Sequence, residues 1–206
     1  MDNIVIKGAK TNMQLIGKQI PNITTSAIVD GKNIEDNYSL FDLNGRYIIL
    51  FFYPLDFTFV CPTELHAFQE NLAEFEKRNC QIVGCSVDSK YCHLAWLQTS
   101  KNKGGIEGIT FPLLSDTTKQ LSMSFGVLKE DEGIAYRGLF LIDKNGVIRH
   151  YLINDMPFGR SIDEALRILD ALIFHENNGQ VCPANWNKNK KAMQPTSEGV
   201  KDYFTT

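Results

Sequence analysis

The sequence is poor in cysteine and has no two cysteines in a C-x-x-C arrangement. Its 206 residues include five cysteines, an odd number at low density, which excludes a disulfide-stapled scaffold. They are Cys61, Cys80, Cys85, Cys92 and Cys182. Without a C-x-x-C pair, a zinc site built on Cys80, Cys85, Cys92 and His93 is disfavoured.

Strong charge, a long apolar run and a targeting signal are also missing. The formal net charge is −3, which gives no electrostatic reason to expect nucleic acid or an anionic membrane as a partner. No apolar run approaches the roughly 20 residues needed to span a bilayer. The N-terminus has neither the pattern of a secretory signal nor that of a transit peptide. We expect a cytoplasmic protein with reduced thiols, or a mitochondrial one if a presequence was removed.

Hydrophobic patterns predict alternating strands and helices. The run RYIILFFY at 46–53 is typical of a strand buried on both faces. After it the apolar period changes to the three- and four-residue steps of a helix face, at Leu65, Phe68, Leu72 and Phe75. Similar patterns predict a strand in QIVGCSV, a helix in YCHLAWLQTS, a short extended piece in ITFPLLS and a helix in DTTKQLSMSFG.

Two local signals organise the second half. Two strand-like runs flank Asn145-Gly146, which predicts a β-hairpin. Ser161 followed by Glu164 is a capping box that opens a helix, and Gly179 ends it. This order predicts an α/β fold with a mixed sheet and helices on both faces. We divide the chain into a lead-in (1–13), one domain (14–175) and an arm that leaves the domain (176–206).

Cys61 lies where the first buried strand ends and a helix begins. Pro62 suits the first helical turn, which places the Cys61 sulfur near unpaired N–H groups and the positive end of the helix dipole. Both favour the thiolate, which is the nucleophile. Thr58 can donate a hydrogen bond to the sulfur or to an attacked oxygen, Pro54 can shield the site, and Arg137 is a candidate positive charge. The alternative is an inert buried thiol, which we prefer for Cys80, Cys85 and Cys92.

Four stretches together resemble a typical two-cysteine peroxiredoxin, a thiol peroxidase with a thioredoxin-like fold. They are FFYPLDFTFVCPTEL, GCSVDSKYCHLAWLQT, the long run from FPLLSDTTKQ to SIDEALR, and NNGQVCPANW. The resemblance extends from about Leu15 to the C-terminus, and its most specific feature is the two Val-Cys-Pro motifs at the family's separation. It implies a thioredoxin-like three-layer sandwich with a mixed central sheet and a C-terminal arm.

The resemblance also implies a role for each site residue. Cys61 matches the peroxidatic cysteine, which attacks a peroxide and becomes a sulfenic acid. Cys182 matches the resolving cysteine, which usually comes from the partner subunit. Pro54, Thr58 and Arg137 match residues that cradle the peroxide, and Glu64 matches a residue that orients the arginine network. The family assembles as homodimers, often as a decameric ring, and uses thioredoxin or a similar dithiol protein as reductant, without a cofactor.

The chain departs from the family pattern in one loop. Eukaryotic members sensitive to over-oxidation combine Gly-Gly-Leu-Gly with a C-terminal Tyr-Phe. Here Tyr203-Phe204 is present, but the loop reads GGIEG, with Ile106 in place of leucine and Glu107 inserted. From the resemblance we expect the arm to pack over the Cys61 helix and slow its unwinding.

Two other readings compete with the peroxidase. A disulfide-exchange oxidoreductase would need a second cysteine three positions after Cys61, where the chain has Glu64. A non-enzymatic ring acting as a chaperone can coexist with peroxidase activity in the family. The matched site residues, and not the fold alone, favour the peroxidase that protects against hydrogen peroxide and organic hydroperoxides.

Overall fold

The computed structural model describes residues 14–205; the predicted lead-in, 1–13, lies outside the described residues. The strands are β1 (Thr24–Val29), β2 (Asn33–Ser39), β3 (Tyr47–Phe52), β4 (Cys80–Ser86), β5 (Leu113–Ser115), β6 (Leu128–Lys129), β7 (Ile134–Ala135), β8 (Arg137–Ile142) and β9 (Ile148–Asn154). The helices are α1 (Cys61–Glu70), α2 (Leu72–Glu76), α3 (Lys90–Leu97), α4 (Gln120–Ser124), α5 (Ile162–Asn178) and α6 (Ser197–Thr205). None of the helices in the described part of the chain is both long and apolar enough to cross a membrane.

Seven strands form one mixed sheet in the order β2-β1-β5-β4-β3-β8-β9. The central strands β3, β4 and β5 are parallel to one another, whereas β8 runs antiparallel to β3 and β9 antiparallel to β8. The strand β3 is buried along its whole length, as the continuous apolar run predicts. The predicted mixed α/β sheet is therefore confirmed.

The sheet separates two apolar clusters, because neighbouring side chains of a strand point to opposite faces. Ile49 and Phe51 of β3 belong to the cluster that includes Leu65 and Phe68 of α1 and residues of α5. Ile48 and Leu50 belong to the other cluster, which also contains Leu121, Phe125 and residues of β1 and β2. Helices thus cover the sheet on both faces, and the fold has three layers.

The local signals in the second half lead to the predicted structures. Asn145-Gly146 joins β8 and β9, and Gly146 takes the positive φ of 77° that such a turn requires. Ser161 caps α5 by accepting a hydrogen bond from the Glu164 N–H. Gly179 ends the same helix in the left-handed region, with φ 66°.

The arm differs from the expectation that it leaves the domain. Its first part folds back on α5, where Trp186 is almost fully buried against Phe174, with ring centroids 4.9 Å apart. Arg167 of α5 donates a hydrogen bond to the Trp186 carbonyl. The end of the arm forms α6, in which Phe204 is 79% exposed. In the single chain Phe204 is therefore not packed over the Cys61 helix.

Candidate active site

Cys61 is the first residue of α1 and is completely buried. The helix has Val60 as its N-cap without a capping side chain, and Pro62 in its first turn. The sulfur therefore lies at the end of the helix where N–H groups lack intrahelical partners. The Arg137 guanidinium approaches it from the first residue of β8, with Nη1 3.4 Å from Sγ. A cation and a helix N-terminus thus act on the same sulfur.

The loop between β3 and α1 holds this cysteine in place. The backbone N–H of Asp56 donates to the Asp88 carboxylate at 2.9 Å. Phe57 has a φ of 53°, an unfavourable value for a bulky residue, which shows that its surroundings fix the turn. Pro54 is buried in the loop. The Thr58 hydroxyl donates to the Leu55 carbonyl at 2.8 Å, so it does not donate to the sulfur as the sequence suggested; its oxygen can accept a hydrogen bond instead.

Glu64 links two arginines on the inner side of α1. Its carboxylate accepts a hydrogen bond from Arg137 Nη1 at 2.8 Å and from Arg160 Nε and Nη2 at 2.7 and 2.8 Å. It also accepts one from the Arg160 backbone N–H. The Glu64 side chain is 2% exposed, and the Arg137 and Arg160 side chains are 5% and 0% exposed. The carboxylate therefore fixes the guanidinium that faces Cys61.

The charges of this cluster favour an anion at the sulfur. Two guanidinium groups and one carboxylate leave an excess of one positive charge beside Cys61. In a buried place charges interact more strongly than in water. The excess can therefore stabilise negative charge that develops at or beside the sulfur during a reaction.

Sequence reasoning missed Arg160. Besides Glu64, its guanidinium binds the carbonyls of Phe52 and Gly138 at 2.7 and 2.6 Å, and so ties the end of β3 and the start of β8 to α1. The one signal in the sequence was its position directly before Ser161, the N-cap of α5. A charged residue there is normally exposed, so the pattern alone does not indicate burial.

Cys182 lies away from the site, against α5. Its thiol is half-buried and donates to the Ala171 carbonyl at 3.6 Å. Arg160, which contacts the Cys61 cluster, lies just before α5. Ala171 lies nine residues beyond the first residue of this helix, Ile162, which corresponds to about 14 Å along the helix. Within one chain the two cysteines are thus too far apart for a disulfide, which needs Cα atoms within roughly 7 Å.

Burial keeps the remaining thiols protonated. It raises the pKa of Cys182 above its usual value, although Arg167 opposes this effect. It raises the pKa of Cys80 to about 12 and that of Cys85 well above normal. Burial and the charges of Asp56 and Asp88 raise the pKa of Cys92 to about 12. These values agree with the prediction that Cys80, Cys85 and Cys92 are packing residues.

One cluster in the described part of the chain brings possible metal ligands together. Ligand atoms of Asp56, Asp88 and Cys92 lie within 4.8 Å of one another. The carboxylates already accept hydrogen bonds, Asp88 from Ser86 Oγ and the Asp56 N–H, and Asp56 from Tyr53. The fully buried His93 is close by, and its ring bonds Asp56 at 2.7 Å. We read the cluster as a hydrogen-bonded network that anchors the Cys61 loop.

Two family descriptions match the chain. The AhpC/TSA family matches residues 16–151, a segment that contains Cys61 and Arg137. The C-terminal domain of 1-Cys peroxiredoxin matches residues 171–206, which contain Cys182. Both descriptions agree with the resemblance found in the sequence.

Individual relatives are similar over nearly the whole chain. A thioredoxin peroxidase of Echinococcus granulosus is 51% identical over 192 residues, which cover 93% of this chain and 98% of that protein. The crystal structure of the reduced 2-Cys peroxiredoxin of Plasmodium vivax superimposes with a TM-score of 0.90 at 47% identity, over 93% of this chain and 99% of that one. The mitochondrial 2-Cys peroxiredoxin of Plasmodium falciparum has a TM-score of 0.77 at 43% identity and covers 82% of this chain and all of that one.

Proposed function

The chain belongs to the AhpC/TSA family of peroxiredoxins, and on that premise we propose that Cys61 is its peroxidatic cysteine, with Arg137, Glu64, Thr58 and Pro54 as the supporting site. The protein is a thiol-dependent peroxidase that reduces hydrogen peroxide and organic hydroperoxides. The observation that carries the assignment of Cys61 is its position at the start of α1, 3.4 Å from a guanidinium held by a buried carboxylate.

The peroxidase step uses each of these groups. The Cys61 thiolate attacks one oxygen of the peroxide, an S–O bond forms and the O–O bond breaks, which leaves a sulfenic acid on Cys61. The second oxygen departs as water or an alcohol after taking up a proton. Arg137 stabilises the negative charge that builds on this oxygen. The Thr58 oxygen accepts a hydrogen bond from the peroxide O–H and so orients it.

Cys182 of a second subunit resolves the sulfenic acid. Its sulfur replaces the hydroxyl group on Cys61, so that an intersubunit disulfide forms and water leaves. The separation of the two cysteines within one chain supports a partner-subunit origin for the resolving thiol. A homodimer, with a decameric ring of dimers as the larger assembly, satisfies this requirement.

A dithiol protein then reduces the disulfide by thiol–disulfide exchange. The name of the Echinococcus granulosus relative, a thioredoxin peroxidase, supports thioredoxin as the reductant. The protein then acts in antioxidant defence and redox homeostasis. We assign it to the cytoplasm, with the mitochondrion as the alternative; a fractionation experiment with the tagged chain decides between the two.

A single-turnover experiment tests the assignment of Cys61. The reduced protein is mixed with one equivalent of hydrogen peroxide, and the remaining peroxide is measured together with the free thiols. We expect the parent protein to consume the peroxide and Cys61→Ser to leave it intact. The matched control is Cys80→Ala, which removes a buried thiol of raised pKa. Cys80 pairs with Tyr47 at the start of β3, away from the Cys61 loop, and the variant should retain the activity. Peroxide consumption by Cys61→Ser at the parent rate would assign the chemistry to another cysteine.

A further inference from the structure

A cavity of about 340 Å³ adjoins Cys182 between α5, β9 and the start of the arm. Leu141, Ile168 and Leu172 give it apolar walls. Three further titratable side chains line it beside the cysteine, namely Arg149, His150 and His175. The cavity is separate from the cluster around Cys61, so these groups can act on Cys182 and not on the peroxide step.

Cys182 needs a base before it can attack a sulfenic acid. The thiolate is the nucleophile, but burial raises the pKa of Cys182 above its usual value of 9.0. Its S–H group is directed to the Ala171 carbonyl at 3.6 Å, and a carbonyl cannot take the proton. At neutral pH the resting thiol is therefore protonated and a poor nucleophile.

His150 has the properties of such a base. Its Nε2 is buried without a hydrogen-bond partner among the described residues, and an unpaired polar atom of this kind is rare in folded proteins. Burial lowers the pKa of His150 below its usual value of 6.5; Glu164 opposes this effect and Arg167 adds to it. The imidazole is therefore neutral at pH 7 and able to accept a proton.

His175 lines the same cavity but differs in two respects. It is exposed to solvent, and its Nδ1 bonds the Gln180 carbonyl at 2.8 Å. That bond ties the last turn of α5 to the start of the arm. His175 is thus a matched control for His150 within one cavity.

We propose that His150 is the general base that removes the proton of Cys182 during the resolving step, an inference that rests on the proposed peroxidase cycle. In the reduced chain the Cys182 thiol bonds the Ala171 carbonyl, and His150 Nε2 has no partner among the described residues. When Cys182 leaves that carbonyl to meet Cys61, its S–H group comes within reach of Nε2 and His150 takes the proton. The Cys182 thiolate then forms the S–S bond with the sulfenic sulfur of Cys61 as its S–O bond breaks. The departing hydroxide takes a proton from solvent and leaves as water, and His150 returns its proton to solvent. No further oxidant or reductant takes part.

The test separates the two steps of the cycle. Reduced protein receives one equivalent of hydrogen peroxide, and acid-quenched samples are analysed by mass spectrometry for sulfenic acid and disulfide over time. We expect His150→Gln to form sulfenic acid at the parent rate. At pH 7 it should form the disulfide at least about tenfold more slowly, because a general base typically accelerates its step by about a hundredfold or more. His175→Gln should form both products at the parent rates.

The pH profile distinguishes a base from a structural residue. The groups that face His150 and Cys182 are Glu164, Arg167 and His175 from α5 and Arg149 from β9. In the parent protein the rate of disulfide formation should fall only below the lowered pKa of His150. In His150→Gln it should rise steadily with pH towards the raised pKa of Cys182. Equal profiles in the two proteins would overturn the role of His150.

A second variant guards against a folding defect. His150→Ala leaves space for free imidazole, which should restore disulfide formation in proportion to its concentration while leaving sulfenic acid formation unchanged. An absence of rescue in a folded His150→Ala protein contradicts the proposal. If the parent protein formed no sulfenic acid, the proposed peroxidase cycle itself would be wrong. If it formed sulfenic acid and the His150 variants formed the disulfide at the parent rate, only the role of His150 would be wrong.

Discussion

At the scale of single residues, Glu64 fixes the position of the Arg137 guanidinium beside Cys61. One carboxylate accepts four hydrogen bonds from Arg137 and Arg160. A glutamine has nearly the same shape but leaves two buried guanidinium groups without a negative partner. Breaking a buried ion pair in this way costs about 3–5 kcal/mol.

We therefore expect Glu64→Gln to lower the free energy of unfolding by about 3 kcal/mol, measured by urea denaturation. Because Arg137 loses its anchor, the reaction with peroxide should also slow by at least about tenfold. The control is Glu70→Gln on the same helix, whose pair with Lys101 is exposed and contributes about 0.5 kcal/mol or less. Equal stability of the two variants would show that Glu64 is not the anchor.

The sequence predicted part of this cluster, for reasons specific to each residue. Cys61 could be found because a strand end, a proline and a helix period meet at one position. Arg137 was a candidate positive charge from the residues alone, but Glu64 could be assigned only through the resemblance to peroxiredoxins, since 73 positions separate the two residues in the chain. Arg160 could not be predicted, because the residues around it in the sequence do not distinguish a buried arginine from an exposed one.

At the scale of elements, the first turn of α1 has a weak start. Val60 provides no capping side chain, whereas Ser161 caps α5, and such a cap is worth about 1 kcal/mol. Three hydrogen bonds to the Val60 carbonyl close the turn, from the N–H groups of Thr63 and Glu64 at 3.0 and 3.3 Å and from the Thr63 hydroxyl at 2.6 Å. A buried Cys61 cannot reach Cys182 until this turn opens.

We predict that disulfide formation unwinds the first turn of α1. Hydrogen–deuterium exchange with mass spectrometry should show faster exchange of residues 60–66 in the oxidised protein than in the reduced one. The centre of α5, from Ala165 to Leu169, is the internal control and should exchange slowly in both. Equal protection of residues 60–66 in both states would mean that the cysteines meet by another movement.

Sequence signals predicted the β8–β9 turn and the start of α5, because a glycine at 146 and a serine at 161 favour these local structures. They did not predict the break at Asn71, where α1 ends and α2 begins. The apolar period continues from Phe68 to Phe75 across this point, so it predicts one helix. The Asn71 side chain bonds the Ala67 carbonyl at 2.9 Å and competes with the helix backbone.

The burial of Trp186 was not predicted either, because a single aromatic residue has no periodicity.

At the scale of the whole molecule, the site combines segments that are distant in the chain. The neighbouring strands β3 and β8 bring Arg137 to α1, and the loop that leads into α5 supplies Arg160. The modest net charge of −3 gives no hint of two buried arginines beside one thiol. Alternating strands and helices indicated the layers of the fold, but pairing between distant strands assembled the site.

The same geometry predicts the product of one catalytic turnover. Arg137, which contacts Cys61, begins β8, and Leu141, which lines the Cys182 cavity, lies four residues further along this strand. That spacing is about 14 Å. An intrachain disulfide would have to close this gap by tearing the arm from α5, where Trp186 is buried. The proposed resolution by Cys182 of a second subunit does not require this gap within one chain to close.

We therefore expect one equivalent of hydrogen peroxide to produce a band near twice 23.3 kDa on a non-reducing gel. The band should disappear with dithiothreitol and in the Cys182→Ser variant, which still forms sulfenic acid on Cys61. Cys80→Ala should keep the band, because the proposed disulfide joins Cys61 and Cys182. An oxidised product that stays at monomer size and contains the Cys61–Cys182 linkage would show that the arm does detach, and would contradict resolution by a second subunit.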